Sequence, residues 1–382
     1  MNIRRSVIAF SVIALTLNLS VAVHADQSSS SHGHPTSENF KFSGLRSHGY
    51  PVQPSQDQGD TSGTPATYTD QLSPLADQSN GDSKWLHNFF NNFNQKPNGK
   101  LSVVGSPAKG PISCHSGPCT TTLTGTVSLI PVWVGGWADS DVATWNSVLG
   151  NIVTSLGSAS ANSVALPGHV FNTNTLYFTS QSLTPPSLQW VPNLSITAPT
   201  AANVNDADVA TYINTFISAN PTIVPAGTTP VYIYIGANTT LLTSGFGTTY
   251  CGWHAYGNAT TSSLTGVPYI AFQNFTSQYN SACSAQTTSP NGNVALDAMA
   301  NIMVHEVDEV LTDPNFGAWY DANGAESADK CAWAFGTIYS TGTAKYNVQL
   351  GSLKYLIQMD WLENNLVTPA GRGPGTACSI TG

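Results

Sequence analysis

The sequence predicts a disulfide-containing α/β (α+β) single domain, a mixed β-sheet packed with helices. Two observations carry this. Runs rich in β-branched and aromatic residues alternate with stretches of helical spacing, and six cysteines form an even set that suits an oxidising compartment. Residues 126–135 (TVSLIPVWVG) read as a buried strand, and the Asp-led stretch Asp139–Leu156 reads as the helix after it. The pattern then repeats: a strand over 188–196, a helix over 205–218 opened by Asp206, and a buried strand over 230–236. Residues 267–272 form a further strand. The third helix covers 291–311, where Leu296, Met299, Met303, Val307 and Val310 recur three or four apart as an apolar stripe. It ends at Thr312-Asp313-Pro314, because proline disfavours helical geometry in the residue before it. Strand-like 346–350 and 353–361 finish the domain, and no internal repeat of solenoid length occurs.

Three stretches differ in composition. Residues 1–25 place Arg4 and Arg5 ahead of an apolar core and close on Val23-His24-Ala25, the layout of a secretory signal peptide. Residues 26–110 are Ser-, His-, Gly- and Pro-rich and cannot bury enough apolar area to offset their ordering entropy, so they read as a disordered tail or pro-segment. His32, His34 and His48 read there as solvated linker histidines, and Trp85-Leu86-His87-Asn88-Phe89-Phe90 as a short aromatic docking patch. Residues 111–382 form the folded domain. The expected location is secreted and extracellular, with no membrane insertion after signal cleavage.

The cysteines are expected to pair as Cys114 with Cys119, Cys251 with Cys283 and Cys331 with Cys378, since neighbours in sequence close loops at the smallest entropic cost. A metal role for them is the weaker reading, because only Cys114 and Cys119 have ligand-like spacing. Charged residues make up 9% of the chain, against roughly 25% in ordinary soluble proteins. Residues 110–382 hold fourteen acidic and four basic side chains, with no lysine or arginine between Lys109 and Lys330. A phosphate backbone finds no cationic stripe here, which excludes nucleic acid and anionic membrane as partners and favours cations.

The chemistry concentrates at His305, Glu306 and Glu309. His305 and Glu309 are four apart on a helix and so face the same way, with Glu306 beside them. This is the spacing of a zincin-like active helix, with glutamate in place of the second histidine: two metal ligands, and an intervening carboxylate placed to take a proton from water. Five glutamates occur in the chain, at 38, 306, 309, 326 and 363. Three fall between 306 and 326, where Asp308, Asp313, Asp321 and Asp329 also crowd, and such a group repels itself unless a cation sits within it. Glu326 is the expected third ligand, with Asp329 as an alternative ligand or as the acceptor that orients His305. His254 and Tyr320 are candidate donors to an oxyanion, His254 having a second reading as a core histidine beside a disulfide. The expected cofactor is a divalent metal, zinc first, while the oxygen-rich donor set also suits calcium or manganese.

The run from His305 through Pro314, then Ala318-Trp319-Tyr320 and Glu326 through Cys331, together with Cys251-Gly252-Trp253-His254 and Val132-Trp133-Val134-Gly135-Gly136, resembles the phosphate-induced protein 1 family, which includes the plant EXORDIUM proteins. The likeness spans roughly residues 120–365. It implies an extracellular protein, associated in plants with the cell wall and with growth, whose partners are extracellular protein, peptide or cell-wall material. Two functional expectations follow. One is a metal-dependent hydrolase of the peptidase class with Glu306 as general base and His305, Glu309 and Glu326 as ligands. The other is a non-enzymatic signalling or wall-associated protein with a structural metal.

Overall fold

The computed structural model of the 382-residue chain describes residues 47–51, 111–115, 119, 121–156, 170–198, 203–243, 246–247, 250–257, 262–321, 324–335, 338–362 and 377–379. The signal-peptide stretch, the aromatic patch at Trp85 and all of the 26–110 tail except Ser47–Pro51 lie outside these residues.

One seven-stranded mixed sheet organises the domain. Its strands are β1 (Ser47–Pro51), β2 (Thr126–Val134), β3 (Ser187–Trp190), β4 (Ile196–Thr197), β5 (Thr229–Gly236), β6 (Tyr250–Tyr256) and β7 (Pro268–Gln273). The order is β1-β6-β7-β5-β2-β3, with β4 also paired to the end of β2. The pairs β7–β5, β5–β2, β2–β3 and β2–β4 are parallel. β6 runs antiparallel to β7, and β1 antiparallel to β6. β2 is buried along all but its first residue and β7 along its whole length, which is how parallel strands covered on both faces read as continuous apolar runs.

The helices are α1 (Asp139–Leu156), α2 (Val170–Thr179), α3 (Val209–Ala219) and α4 (Val294–Thr312). α1 carries Asp139 and Asp141 in its first turn, where carboxylates meet the positive helix end. A 3-10 turn, Asp206–Asp208, leads into α3. The Asn293 side chain caps α4 by accepting from the Leu296 N–H at 3.0 Å. α4 packs on β6 and β7 and on α1 and α2. The sequence pattern predicts an amphipathic helix with one apolar stripe, and this is corrected: every residue from Leu296 to Thr312 is buried. The polar side of α4, with His305, Glu306 and Glu309, is buried in the protein interior.

Other departures have local causes. The predicted strand over 188–196 is two short strands, β3 and β4. Pro192 offers no N–H to a ladder, and the Asn193 carbonyl is taken by Trp133 Nε1 at 3.0 Å. The predicted strand over 353–361 splits into Leu353–Tyr355, which pairs with Val348–Leu350, and Asp360–Leu362, which pairs with Ala377–Ser379. β1 lies inside the stretch that composition marks as a spacer, because a strand held by its backbone needs no apolar side chains. All three expected disulfides are formed: Cys114–Cys119, Cys251–Cys283 and Cys331–Cys378. Among the described residues no helix is long and apolar enough to cross a membrane.

Candidate metal centre

Three elements bring the polar groups together. α4 supplies His305, Glu306 and Glu309, β6 supplies His254, and the turn after the Ala325 loop supplies Glu326 and Asp329. Side chains alternate along a strand, so Gly252 and His254 share one face of β6, and that face meets α4. Gly252 is required there: a Cβ at this position would lie 2.4 Å from Ile302 Cγ2 and 3.4 Å from Glu306 Oε1. The missing side chain lets β6 approach α4 closely enough for His254 to reach the glutamates.

Two overlapping triads result, His305–Glu309–Asp329 and His254–Glu306–Glu309, and in each the ligand atoms lie within 4.8 Å of one another. His305 Nε2 is 3.1 Å from Glu309 Oε1 and 3.6 Å from Asp329 Oδ1. His254 Nδ1 is 3.1 Å from Glu306 Oε2 and 3.4 Å from Glu309 Oε2, and its Nε2 is 3.8 Å from Glu326 Oε2. His254, His305, Glu306 and Glu309 are fully buried, and Glu326 and Asp329 are 1% and 2% exposed. Glu326 thus stands nearer His254, and Asp329 nearer the His305–Glu309 pair.

Burial and charge oppose each other here. Desolvation would lower the pKa of His305, but the Glu309 charge and the hydrogen bonds to Asp329 and Glu309 outweigh it and hold the imidazole well above its ordinary value. His254 follows the same pattern, with desolvation overcome by hydrogen bonds to Glu306 and Glu309. Burial pushes Glu306 up despite the hydrogen bond from His254. A dry group of two imidazoles and four carboxylates needs positive charge, as protons or as a cation.

The donor set fits a cation. Two ligand atoms bound tetrahedrally at about 2.0–2.2 Å stand roughly 3.4 Å apart, and the two separations at His305 Nε2 bracket that value. His305 is also presented as a ligand should be. Gln358 Nε2 donates to the Ala328 carbonyl at 3.0 Å, which turns its Oε1 to accept from His305 Nδ1 at 3.2 Å and leaves Nε2 facing the carboxylates. Gln358 is itself fixed by its backbone N–H, which donates to Asn301 Oδ1 at 2.7 Å.

The loop behind α4 is braced from several sides. The Asp329 N–H donates to Glu309 Oε1 at 3.1 Å, and the Glu326 N–H donates to Asp329 Oδ2 at 3.2 Å. Buried Lys330 Nζ bonds Asp321 Oδ2 at 2.9 Å and lies 4.8 Å from the ring centroid of Trp361. Asp313 Oδ1 accepts from the N–H groups of Gly317 and Ala318 at 2.7 and 2.6 Å. That turn sets Phe316, in the left-handed region at φ 58°, against the His254 ring at 4.8 Å. The acidic crowd seen in the sequence therefore divides: Asp313 and Asp321 are engaged by backbone donors and by Lys330, while Glu306, Glu309, Glu326 and Asp329 converge.

Tyr320 is placed elsewhere, its ring stacked on His115 at 3.7 Å and its carbonyl 3.0 Å from His115 Nε2. Sequence reasoning missed Gln358, Asp360 and the role of Asp308. Asp308 and Asp360 are both fully buried. Desolvation and then the Asp360 charge hold Asp308 well above the usual carboxylate range. Burial pushes Asp360 to about 7, against the Trp361 N–H and the Ser327 hydroxyl, which pull it down.

A family model described as the phosphate-induced protein 1 conserved region matches residues 112–354. Protein EXORDIUM-like 3 of Arabidopsis thaliana is 34% identical over 94 residues, a stretch that covers 21% of this chain and 27% of that protein. The match thus spans about a quarter of that relative's length. No solved structure matches the chain significantly. His254, His305, Glu306, Glu309, Glu326 and Asp329 all lie inside the stretch matched by the family model, whereas Gln358 and Asp360 lie just beyond it. The chain belongs to the phosphate-induced protein 1 family.

Proposed function

We propose that this chain is a secreted, EXORDIUM-like metal-dependent hydrolase of the peptidase class. The observation that carries the reading is that Glu309 Oε1 and Asp329 Oδ1 lie 3.1 and 3.6 Å from His305 Nε2, beside Glu306 on the same helix as His305 and Glu309. His305, Glu309 and Asp329 would hold a divalent cation, zinc first, with Glu326 completing the donor set from the His254 side. Such a cation supplies Lewis acidity, polarising a carbonyl and lowering the pKa of water. Glu306 takes the proton from water, and burial raises its pKa, the direction that makes its carboxylate a stronger base. His254, 3.1 Å from Glu306 Oε2, positions that carboxylate and offers a donor to developing negative charge on substrate oxygen. Extracellular protein or peptide is the substrate class, and the three disulfides support the location.

A second reading, a structural cation in a non-enzymatic extracellular protein, is favoured by the complete burial of His254, His305, Glu306 and Glu309. One pair of measurements separates the two. Elemental analysis of the purified protein should give about one divalent ion per chain, and Glu306→Gln should abolish hydrolysis of a generic protein substrate while retaining the ion. Wild-type protein that binds the ion and hydrolyses nothing supports the structural reading.

A further inference from the structure

The edge of a sheet presents a row of backbone N–H and C=O groups that any extended chain can pair with. β7 takes one side of β6. The other side is taken by Ser47–Pro51, antiparallel, with His48 opposite His254 and Gly49 opposite Trp253. β1 also lies against α4. Its main chain therefore runs beside the strand position that carries His254 and beside the helix that carries His305, Glu306 and Glu309.

The sequence of β1 is poorly matched to this position. Ser-His-Gly-Tyr-Pro contains two residue types depleted in strands, and the register shifts between Tyr50 and Pro51. Five residues make few ladder hydrogen bonds, and each adds little net stability. A weak strand former holding an edge next to a polar centre is a local rule broken of the kind found where function gains from it.

We propose that the outer edge of β6 is a docking strip for an extended peptide, and that Ser47–Pro51 is its built-in occupant, competing with substrate for the same backbone groups. The docked chain adds a strand to the sheet, antiparallel to β6, so its main chain passes His254 whatever its side chains. As a statement about substrate and regulation it rests on the hydrolase reading; as a statement about binding it does not.

The test uses the full chain carrying His48→Pro and Gly49→Pro together. Adjacent residues of an antiparallel strand alternate between hydrogen-bonded and non-hydrogen-bonded pairs, so one of the two prolines removes a ladder donor in either phase. Amide exchange across Tyr250–Tyr256 should accelerate at least tenfold. A labelled peptide of residues 45–53 should bind the variant at least tenfold more tightly than wild type and slow that exchange again. Unchanged exchange, or no peptide binding to the variant, overturns the proposal. If the variant does not fold, wild-type protein gives the reading: saturating peptide should speed exchange at residues 47–51, and unchanged exchange there overturns it. Peptide capture without hydrolysis supports the docking strip and counts only against the hydrolase reading.

Discussion

His305 Nδ1 donates to Gln358 Oε1 at 3.2 Å, a buried contact between residues 53 apart in sequence. This bond fixes which imidazole nitrogen faces Glu309 and Asp329. Replacing Gln358 with leucine removes the acceptor and frees the ring to rotate or change tautomer. Zinc affinity, measured by competition with a chromogenic chelator, should fall by about 10–100-fold, the usual effect of losing such a partner. Gln358→Glu keeps an acceptor for Nδ1–H and should retain most of the affinity. Equal losses in both variants would mean that the contact does not orient the ring.

Gly252 and Ile302 set the spacing between β6 and α4. Gly252→Ala drives a methyl into Ile302 Cγ2, a contact of 2.4 Å if nothing moves, and should cost about 1–3 kcal/mol by overpacking. The double variant Gly252→Ala with Ile302→Ala should recover part of the lost melting temperature, and its metal affinity should recover with it. A single variant as stable as wild type would show that the two elements can separate without loss.

The helix half of the site is legible in the sequence because four-residue spacing on a helix needs no tertiary knowledge, and the rarity of glutamate elsewhere makes Glu306, Glu309 and Glu326 stand out. The rest is tertiary. His254, which the sequence offers as a candidate oxyanion donor, reaches the cluster from a strand 51 residues upstream of His305, and Gln358, which it does not offer, from a stretch 53 residues downstream, so no local spacing places either beside the helix. α2 is similarly hidden: VFNTNTLYFT is poor in strong helix formers. Its packing compensates, with Asn174 Nδ2 donating to the Asp308 carbonyl at 3.0 Å and the Tyr177 hydroxyl donating to the Trp361 carbonyl at 2.6 Å. The central strands are legible because burial on both faces writes itself as an apolar run, whereas β1 leaves no such trace.

Proton linkage gives the metal-free protein a distinctive pH profile. Asp360 is held near 7 in the folded protein and returns to about 3.8 on unfolding. Between those values the folded state binds the extra proton, so stability falls as pH rises from about 4 to about 7. His305, raised well above 6.5, has the same sign above that value: its contribution is complete below 6.5 and is lost as pH rises through the folded pKa. In chelator the melting temperature should therefore fall steadily from pH 4.5 to 8. Excess zinc should flatten or reverse the slope, because ligands bind the cation in their deprotonated forms. Asp360→Asn should make the fall between 4 and 7 shallower, leaving the share carried by Glu306 and Asp308, whose pKa values burial also raises. A metal-free profile that rises across this range would contradict the charge assignments.

Lys330 and Asp321 hold the loop that carries Glu326 and Asp329. The ammonium is buried, 2.9 Å from Asp321 Oδ2, while Asp321 Oδ1 accepts from the Ala325 N–H at 3.0 Å, one residue before Glu326. Lys330→Met leaves a buried carboxylate without its counter-charge and should cost about 3–5 kcal/mol. Adding Asp321→Leu removes that orphaned charge, so the double variant should regain most of the stability. It should not regain metal affinity, since the Ala325 N–H then has no acceptor and the ligand loop loses its anchor. Chelator-competition titrations and thermal melts on the same two proteins separate the effects; stability and affinity returning together would show that the ion pair only balances charge and does not position Glu326 and Asp329.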